Sequence, residues 1–477
     1  MSWQDGTKPS MNKATIAAIS TPFGSGGIGI IRISGDHAID ILKSVFQRTG
    51  KRTPKANSQT DTFESHRFYH GHIIDTHTRK RIDEVLAVAM QAPRSYTRED
   101  VVEIHSHSGP VVLGNIFRQV INQGAMVAEP GEFTKRAYLN GRIDLTQAEA
   151  VIDIIQAKTE TALQIANRQL AGGLTESIDP IRDNLQSIRV LLETAIDFPE
   201  DVEEDLEIQS ILNDMDREVI GKIELLLSDY QADHFYRDGI KMAIIGKPNV
   251  GKSSLMNRLL DRDRAIVTAI PGTTRDVIEE IFHINGLPVI VMDTAGLHDA
   301  TGEVEKIGIE KTHQTIEDAD IVLFMMDSSE PLTHEDAAIY KQIKAKKHLL
   351  VKNKIDLIVA GSAFEMRDEW LGKPLVGISA LTGEHIEALQ RAIWSLAVGD
   401  MGVGREIGIV PNMRHKLQLE ACLVSAKRAR DALGKGLPAE MVAADIMQAS
   451  DALGTILGDH CPVDLLDQIF SRFCIGK

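Results

Sequence analysis

The strongest chemical signal in the chain lies near its middle. "KMAIIGKPNVGKSSLMNRLL" is an apolar run, then Gly246-x4-Gly251-Lys252-Ser253, then text with helical spacing. Glycines let the backbone close around a phosphate, and the N-terminus of the following helix turns free N–H groups toward the negative charge. Lys252 can reach the terminal phosphates, and Ser253 offers a hydroxyl to a magnesium ion. Asn249, Val250, Gly251, Lys252, Ser253 and Ser254 are therefore the expected phosphate-contacting run. Further on, "LPVIVMDTAG" ends an apolar strand at Asp293, whose carboxylate suits the magnesium shell while the Gly296 N–H faces the last phosphate. "LLVKNKID" supplies Asn353, Lys354 and Asp356. An aspartate there accepts from the N1–H and exocyclic amine of guanine, a pattern adenine does not present, so the expected nucleotide is GTP. "LVGISAL" adds Ser379 and Ala380 in a tight loop suited to guanine O6.

How the nucleotide would be hydrolysed is a separate question. In Ras-type proteins a glutamine follows the glycine of DTAG and positions water. Here Leu297 holds that place, and an apolar side chain cannot orient water, so the catalytic group must come from elsewhere. Asn249 and the residues Thr268, Ile270, Thr273 and Thr274 of "IVTAIPGTTRD" offer oxygens that could hold a monovalent cation against the phosphates. Such a cation would supply positive charge where an arginine finger otherwise does. A role for Asn249 in loop geometry alone stays equally open on the chemistry of the residues.

Each of these motifs must sit at the end of a strand. "IFHINGLPVIVMD" has Asn285–Gly286 between two apolar runs, a hairpin signal that adds an antiparallel edge to a parallel sheet. The expectation is a Ras-like P-loop domain over 236–399. At the other end of the chain, "TIAAISTPFGSGGIGIIRISG" alternates as strand, loop, strand. Gly24, Gly26 and Gly29 have GxGxxG spacing, but no helical pattern follows, which argues for a β connection over a dinucleotide-binding turn. Residues 1–130 are expected to form one α+β domain. Helical spacing then runs through 131–235 and returns over 400–477, so the simplest arrangement is a helical domain interrupted by the P-loop domain.

Bulk properties fit a soluble multidomain protein. The chain has 477 residues, a formal charge of −16, and no apolar run long enough to span a membrane. The N-terminus lacks the pattern of a signal peptide, which makes the cytoplasm the default location. Three widely spaced cysteines, Cys422, Cys461 and Cys474, fit neither a disulfide framework nor a structural zinc site. The negative balance argues against a surface coated for nucleic acid, although a local basic patch is compatible with it.

Taken together, "TPFGSGGIGIIRISG", "PGEFTKRAYLNGRIDLTQAEA", "GKPNVGKSS", "PGTTRD", "DTAGL" and the terminal "FCIGK" resemble the MnmE family, also called TrmE, over essentially the whole chain. The resemblance implies a GTP hydrolase of tRNA modification that works as a homodimer. It implies a FAD-dependent partner, MnmG, with which C5 of wobble uridine receives an aminomethyl or carboxymethylaminomethyl group. It also implies an N-terminal folate-binding-like domain taking 5-formyl- or methylene-tetrahydrofolate, with Arg32, Glu103, Arg142 and Lys477 as contacts. For hydrolysis it implies K+ on Asn249, Thr268, Ile270 and Thr273, Mg2+ on Ser253 and Thr274, and Glu305 as the group that orients water. Cys474 is the candidate for chemistry in the tail, where its apolar neighbours Phe473 and Ile475 could dock the segment. The alternative is a GTPase switch of the Era or Der type, which needs neither a folate-like domain nor a terminal thiol.

Overall fold

The computed structural model describes residues 14–22, 24, 26–49, 62–197, 208–263, 280–292, 313–358, 366–399, 408–459 and 461–477. Thr268, Ile270, Thr273, Thr274, Asp293, Gly296, Leu297 and Glu305 lie outside the described residues.

The alternating text at the start of the chain builds a seven-stranded sheet. Its strands are β1 (Ile16–Ile19), β2 (Gly26–Ser34), β3 (Phe46–Arg48), β4 (Arg67–Ile74), β5 (Arg81–Met90), β6 (Val101–Ser108) and β7 (Met126–Val127). They run β3-β4-β5-β6-β2-β1-β7, antiparallel except for the β1–β7 pair. The period of two puts Ile31, Ile33, Ile73, Ala87 and Ile104 on one face. The helices Ala38–Val45 and Pro110–Asn122 bury that face. Arg32 and Glu103, paired in register across β2 and β6, belong to the opposite face. The glycine-rich segment is a strand connection, not a dinucleotide turn. Gly29 is required by packing, because a Cβ there would lie 2.7 Å from Leu113 Cδ2 of the covering helix.

A second sheet has the order β13-β12-β11-β8-β10-β9. Its strands are β8 (Ile240–Ile245), β9 (Glu280–Ile284), β10 (Leu287–Met292), β11 (Ile321–Asp327), β12 (His348–Asn353) and β13 (Leu375–Gly377). All pairs are parallel except β9 with β10. The hairpin between those two turns at Asn285 and Gly286, with φ of 49° and 82°. Both angles lie in the left-handed region that a type I′ turn demands. Central strands such as β11 are buried along their whole length, as expected of a parallel sheet with both faces covered.

Between the sheets the chain is helical. Leu145–Gln156, Glu160–Leu170 and Gly173–Asp197 are followed by Ile208–Asp214, which continues through a π turn at Met215–Ile220 into Gly221–Asp238. After the second sheet come Met413–Gly434, Ala439–Leu457 and Val463–Phe470. Leu174, Ile181 and Leu185 from the first block share one core with Leu419, Cys422 and Leu453 from the second. The two helical stretches are thus one packed body with the second sheet inserted between them. Two caps were written into the sequence: Asp144 with Gln147, and Asn412 with His415, each form a capping box. Helix Glu132–Leu139 belongs physically to the first sheet, since Phe133 packs on Ile16 and Ala18.

Candidate functional site

The P-loop follows β8 and opens the helix Lys252–Asp263. Asn249 has φ 63° and Gly251 φ 97°, so the loop turns twice through conformations that ordinary side chains avoid. Its glycines are demanded by close approach. A Cβ at Gly246 would strike the Met325 carbonyl of β11, and one at Gly251 would strike Asn353 Nδ2. Lys252 Nζ donates to the Gly246 and Lys247 carbonyls at 2.8 Å each, spanning the loop, and burial holds its ammonium below the ordinary lysine value. Ser253 and Ser254 stand exposed at the start of the helix.

Asn353 ties the cradle to the base-binding loops. Its Nδ2 donates to the Val250 carbonyl at 2.7 Å and its Oδ1 accepts from Ala380 N–H at 2.9 Å. One buried amide therefore fixes the distance between the phosphate loop and the Ser379–Ala380 loop. Lys354, in the left-handed region with φ 65°, pairs with Asp327 at the end of β11. Asp356 is exposed on the short 3-10 turn Ile355–Leu357, available to a base. Ser379 is fully buried and its hydroxyl accepts from Thr382 N–H at 3.1 Å, which fixes the tight loop. Arg258, one turn into the P-loop helix, donates to the carbonyls of Ala380 and Leu381. Nothing in the sequence marks Arg258, because its partners lie 122 and 123 residues away.

A second constellation forms where the C-terminal tail meets the first sheet. Arg32 pairs with Glu103 Oε1 at 2.9 Å and donates from Nη1 to the Gly476 carbonyl at 3.2 Å. Ser20 donates to that same carbonyl at 3.3 Å, and Phe133 N–H donates to the Lys477 carbonyl at 3.2 Å. Gly476 has φ 93°, and a Cβ on it would lie 2.8 Å from Ser20 Cα. Gly131 is the matching contact beneath the tail, where a Cβ would lie 2.6 Å from the Phe470 carbonyl. Burial, and then the Arg32 guanidinium, push the Lys477 ammonium below its ordinary value. Arg142 sits 4.8 Å from the ring centroid of Tyr96, and Arg32 lies 5.6 Å from the same ring. Arg32, Glu103, Arg142 and Lys477 are thus brought to one neighbourhood. Tyr96 and Phe133 frame Arg32; Tyr96 lies outside every quoted motif, and Phe133, although within "PGEFTKRAYL", is an apolar residue that nothing in the sequence marks as a site residue.

The tail docks through Phe473, which is buried, whereas Ile475 is 55% exposed, so only one of the two apolar neighbours of Cys474 serves as an anchor. Cys474 itself is exposed. Cys422 and Cys461 are buried, and burial pushes their thiols up to about 12 and about 11, which leaves them inert as nucleophiles.

Behind the tail, a cavity of about 570 Å3 is bordered by Glu149, Asp153, Arg237, Arg414, Arg472 and Phe473. Arg414 grips Glu149 in a two-pronged pair at 3.0 and 2.7 Å, and His415 Nε2 lies 2.7 Å from the same carboxylate. Asn412 N–H donates to His415 Nδ1, so the ring hydrogen sits on Nε2 and is given to Glu149. Arg237, on the last turn of the helix leading into β8, pairs with Asp153 at 2.7 Å. The same wall therefore touches the root of the nucleotide domain and the base of the tail.

Family models match at two places: "GTP-binding protein TrmE N-terminus" over residues 15–142 and "MnmE helical domain" over residues 145–474. The chain belongs to the MnmE family of tRNA modification GTPases. The tRNA modification GTPase MnmE of Desulfotalea psychrophila is 45% identical over 469 residues, 97% of this chain and 98% of that protein. That of Carboxydothermus hydrogenoformans is 44% identical over 468 residues, 98% of this chain and 100% of that protein. A crystal structure of Era from Aquifex aeolicus bound to GDP.AlF4- is 31% identical and covers 40% of this chain and 66% of that one, with a TM-score of 0.27. Family membership matches the fold class expected from sequence: a TrmE N-terminal α+β domain, a discontinuous helical domain and an inserted Ras-like domain. Among the described residues, no helix is long and apolar enough to cross a membrane.

Proposed function

We propose that this chain is a K+-dependent GTPase that, with the FAD-dependent partner MnmG, modifies C5 of wobble uridine in tRNA using a tetrahydrofolate one-carbon donor. The observation that carries the proposal is the full-length kinship with tRNA modification GTPases, joined to a P-loop that turns at Asn249 and Gly251 into the helix Lys252–Asp263. A glycine loop leading into a helix N-terminus, with a lysine held across it, suits a nucleotide's phosphates. GTP is favoured by Asp356, exposed beside the Ser379–Ala380 loop. Asn249, Thr268, Ile270 and Thr273 would hold K+, and Ser253 and Thr274 would hold Mg2+. Those ions would supply positive charge to the phosphates. Glu305 would orient water in place of the glutamine that Leu297 replaces.

For the one-carbon donor, Arg32, Glu103, Arg142 and Lys477 would bind and orient the folate, with Cys474 presented beside it. Arg32 and Glu103 form a fixed ion pair there, and the tail closes one side. A homodimer would bring two nucleotide domains face to face. The test is GTP turnover in K+ against Na+ at equal ionic strength. Turnover should fall at least tenfold in Na+, whose smaller radius cannot bridge the same oxygens. Equal rates in both salts would contradict the cation assignment.

A further inference from the structure

Beside the tail-docking site lies a pocket of about 410 Å3 whose border includes His66, Met90, Arg94, Tyr96, Arg98 and Arg142. Among the described residues, no carboxylate lines it. In a chain with a formal charge of −16, three arginines converging without an acid is against the local odds. Among the described residues, two of them are positioned by neutral carbonyls. Arg98 donates to the Asn140 carbonyl at 3.0 Å and Arg142 to the Tyr96 carbonyl at 3.3 Å. Carbonyl partners aim a guanidinium without cancelling its charge. The acids nearest in sequence are committed elsewhere. Glu99 is taken up by Arg136 at 3.0 Å and Ser34 at 2.7 Å, and Asp100 Oδ1 accepts from Ala92 N–H at 2.9 Å.

We infer that this pocket seats the sugar-phosphate backbone of the RNA substrate and feeds the adjoining nucleotide toward Arg32 and the tail. The inference rests on tRNA being the substrate, as proposed above. Guanidinium groups bind phosphate oxygens in a fork, and an exposed cationic cluster next to an aromatic ring suits a strand whose bases stack. Tyr96 is that ring, and it is shared: Arg142 approaches it from the pocket while Arg32 belongs to the tail site. Arg94, Arg98 and Arg142 are all exposed. Small molecules are usually enclosed over most of their surface, whereas a backbone crossing the protein surface needs an open cleft, so the exposure favours RNA over the tail of a folate.

The test uses the full chain, with Arg94→Gln/Arg98→Gln and Arg94→Ala alone; Arg142 is left intact because of its place in the folate set. A tRNA transcript whose anticodon begins with uridine is titrated by fluorescence anisotropy at several salt concentrations. In parallel, 5-formyltetrahydrofolate with one and with five glutamates is titrated. The double variant should bind tRNA about tenfold more weakly near 0.15 M salt, with a salt slope shallower by about 2, since each phosphate contact contributes roughly 0.7–0.9. The single variant should show about half that change in slope, and folate binding and GTP turnover should stay at wild-type values. An unchanged tRNA affinity and slope would overturn the inference, and a loss confined to the five-glutamate folate would reassign the pocket to the folate tail. If the wild-type chain binds no tRNA even at low salt, the substrate reading itself fails, and this inference with it.

Discussion

At the scale of single residues, each motif makes a separable demand. Asp356 is exposed next to a loop that Asn353 and Arg258 hold in place, so replacing its carboxylate changes recognition without disturbing the cradle. Asp356→Asn should weaken GTP binding at least tenfold, about 1.4 kcal/mol, and improve binding of xanthosine triphosphate, whose carbonyl can accept from the new amide. An unchanged preference in competition titrations would show that this aspartate does not touch the base. Cys474 makes a different demand. It is exposed, whereas Cys422 and Cys461 are sealed in cores. Cys474→Ser should therefore leave stability within about 0.5 kcal/mol of wild type and GTP turnover unchanged, while wobble-uridine modification is lost. Full modification by a folded Cys474→Ser protein would reduce the thiol to a spectator in the tail.

At the scale of elements, the joint behind the tail depends on protonation. His415 is completely buried, and burial holds its imidazole down to about 4 although Glu149 pulls the other way. Burial alone would raise the Glu149 carboxyl, but His415 and Arg414 hold it far below the usual carboxylate range. Both folded values lie below the unfolded ones, so the unfolded chain takes up more protons as the pH falls. Stability from His415 is therefore complete above about 6.5 and is lost on the way down to about 4, by on the order of 3 kcal/mol. The melting temperature of the full chain should drop through that window, and His415→Gln should flatten the drop. Parallel pH curves for the two proteins would contradict this role.

That joint could not be read from the sequence, and the reason is distance. Glu149 lies 265 residues from Arg414 and 266 from His415, and each alone reads as an ordinary helix residue. The P-loop and the Asn285–Gly286 hairpin were legible because the chemistry of each is complete within a few consecutive residues. The shared core of the two helical blocks was legible only in outline: spacing marks an apolar stripe, not the stripe it meets. Likewise "FCIGK" suggested a docked tail, but only the fold reveals that Phe473 is the anchor, that Gly131 and Gly476 permit the close approach, and that Arg32 holds the Gly476 carbonyl.

At the scale of the whole molecule, the nucleotide cradle and the tail site are built on different sheets, and the helical body connects them. Arg237 stands at the root of β8 and pairs with Asp153, while Phe473 and Arg472 border the same cavity. This wall thus places packed groups of the helical body between the root of β8 and the base of the tail. GTP turnover and tRNA chemistry are then two outputs of one protein, the second being its proposed biological task. The most direct measurement is mass spectrometry of nucleosides from tRNA of cells lacking this gene, with and without the wild-type copy restored. C5-aminomethyl and carboxymethylaminomethyl wobble uridines should disappear on deletion and return on restoration; their persistence at normal levels in the deletion strain would contradict a role for this protein in making them.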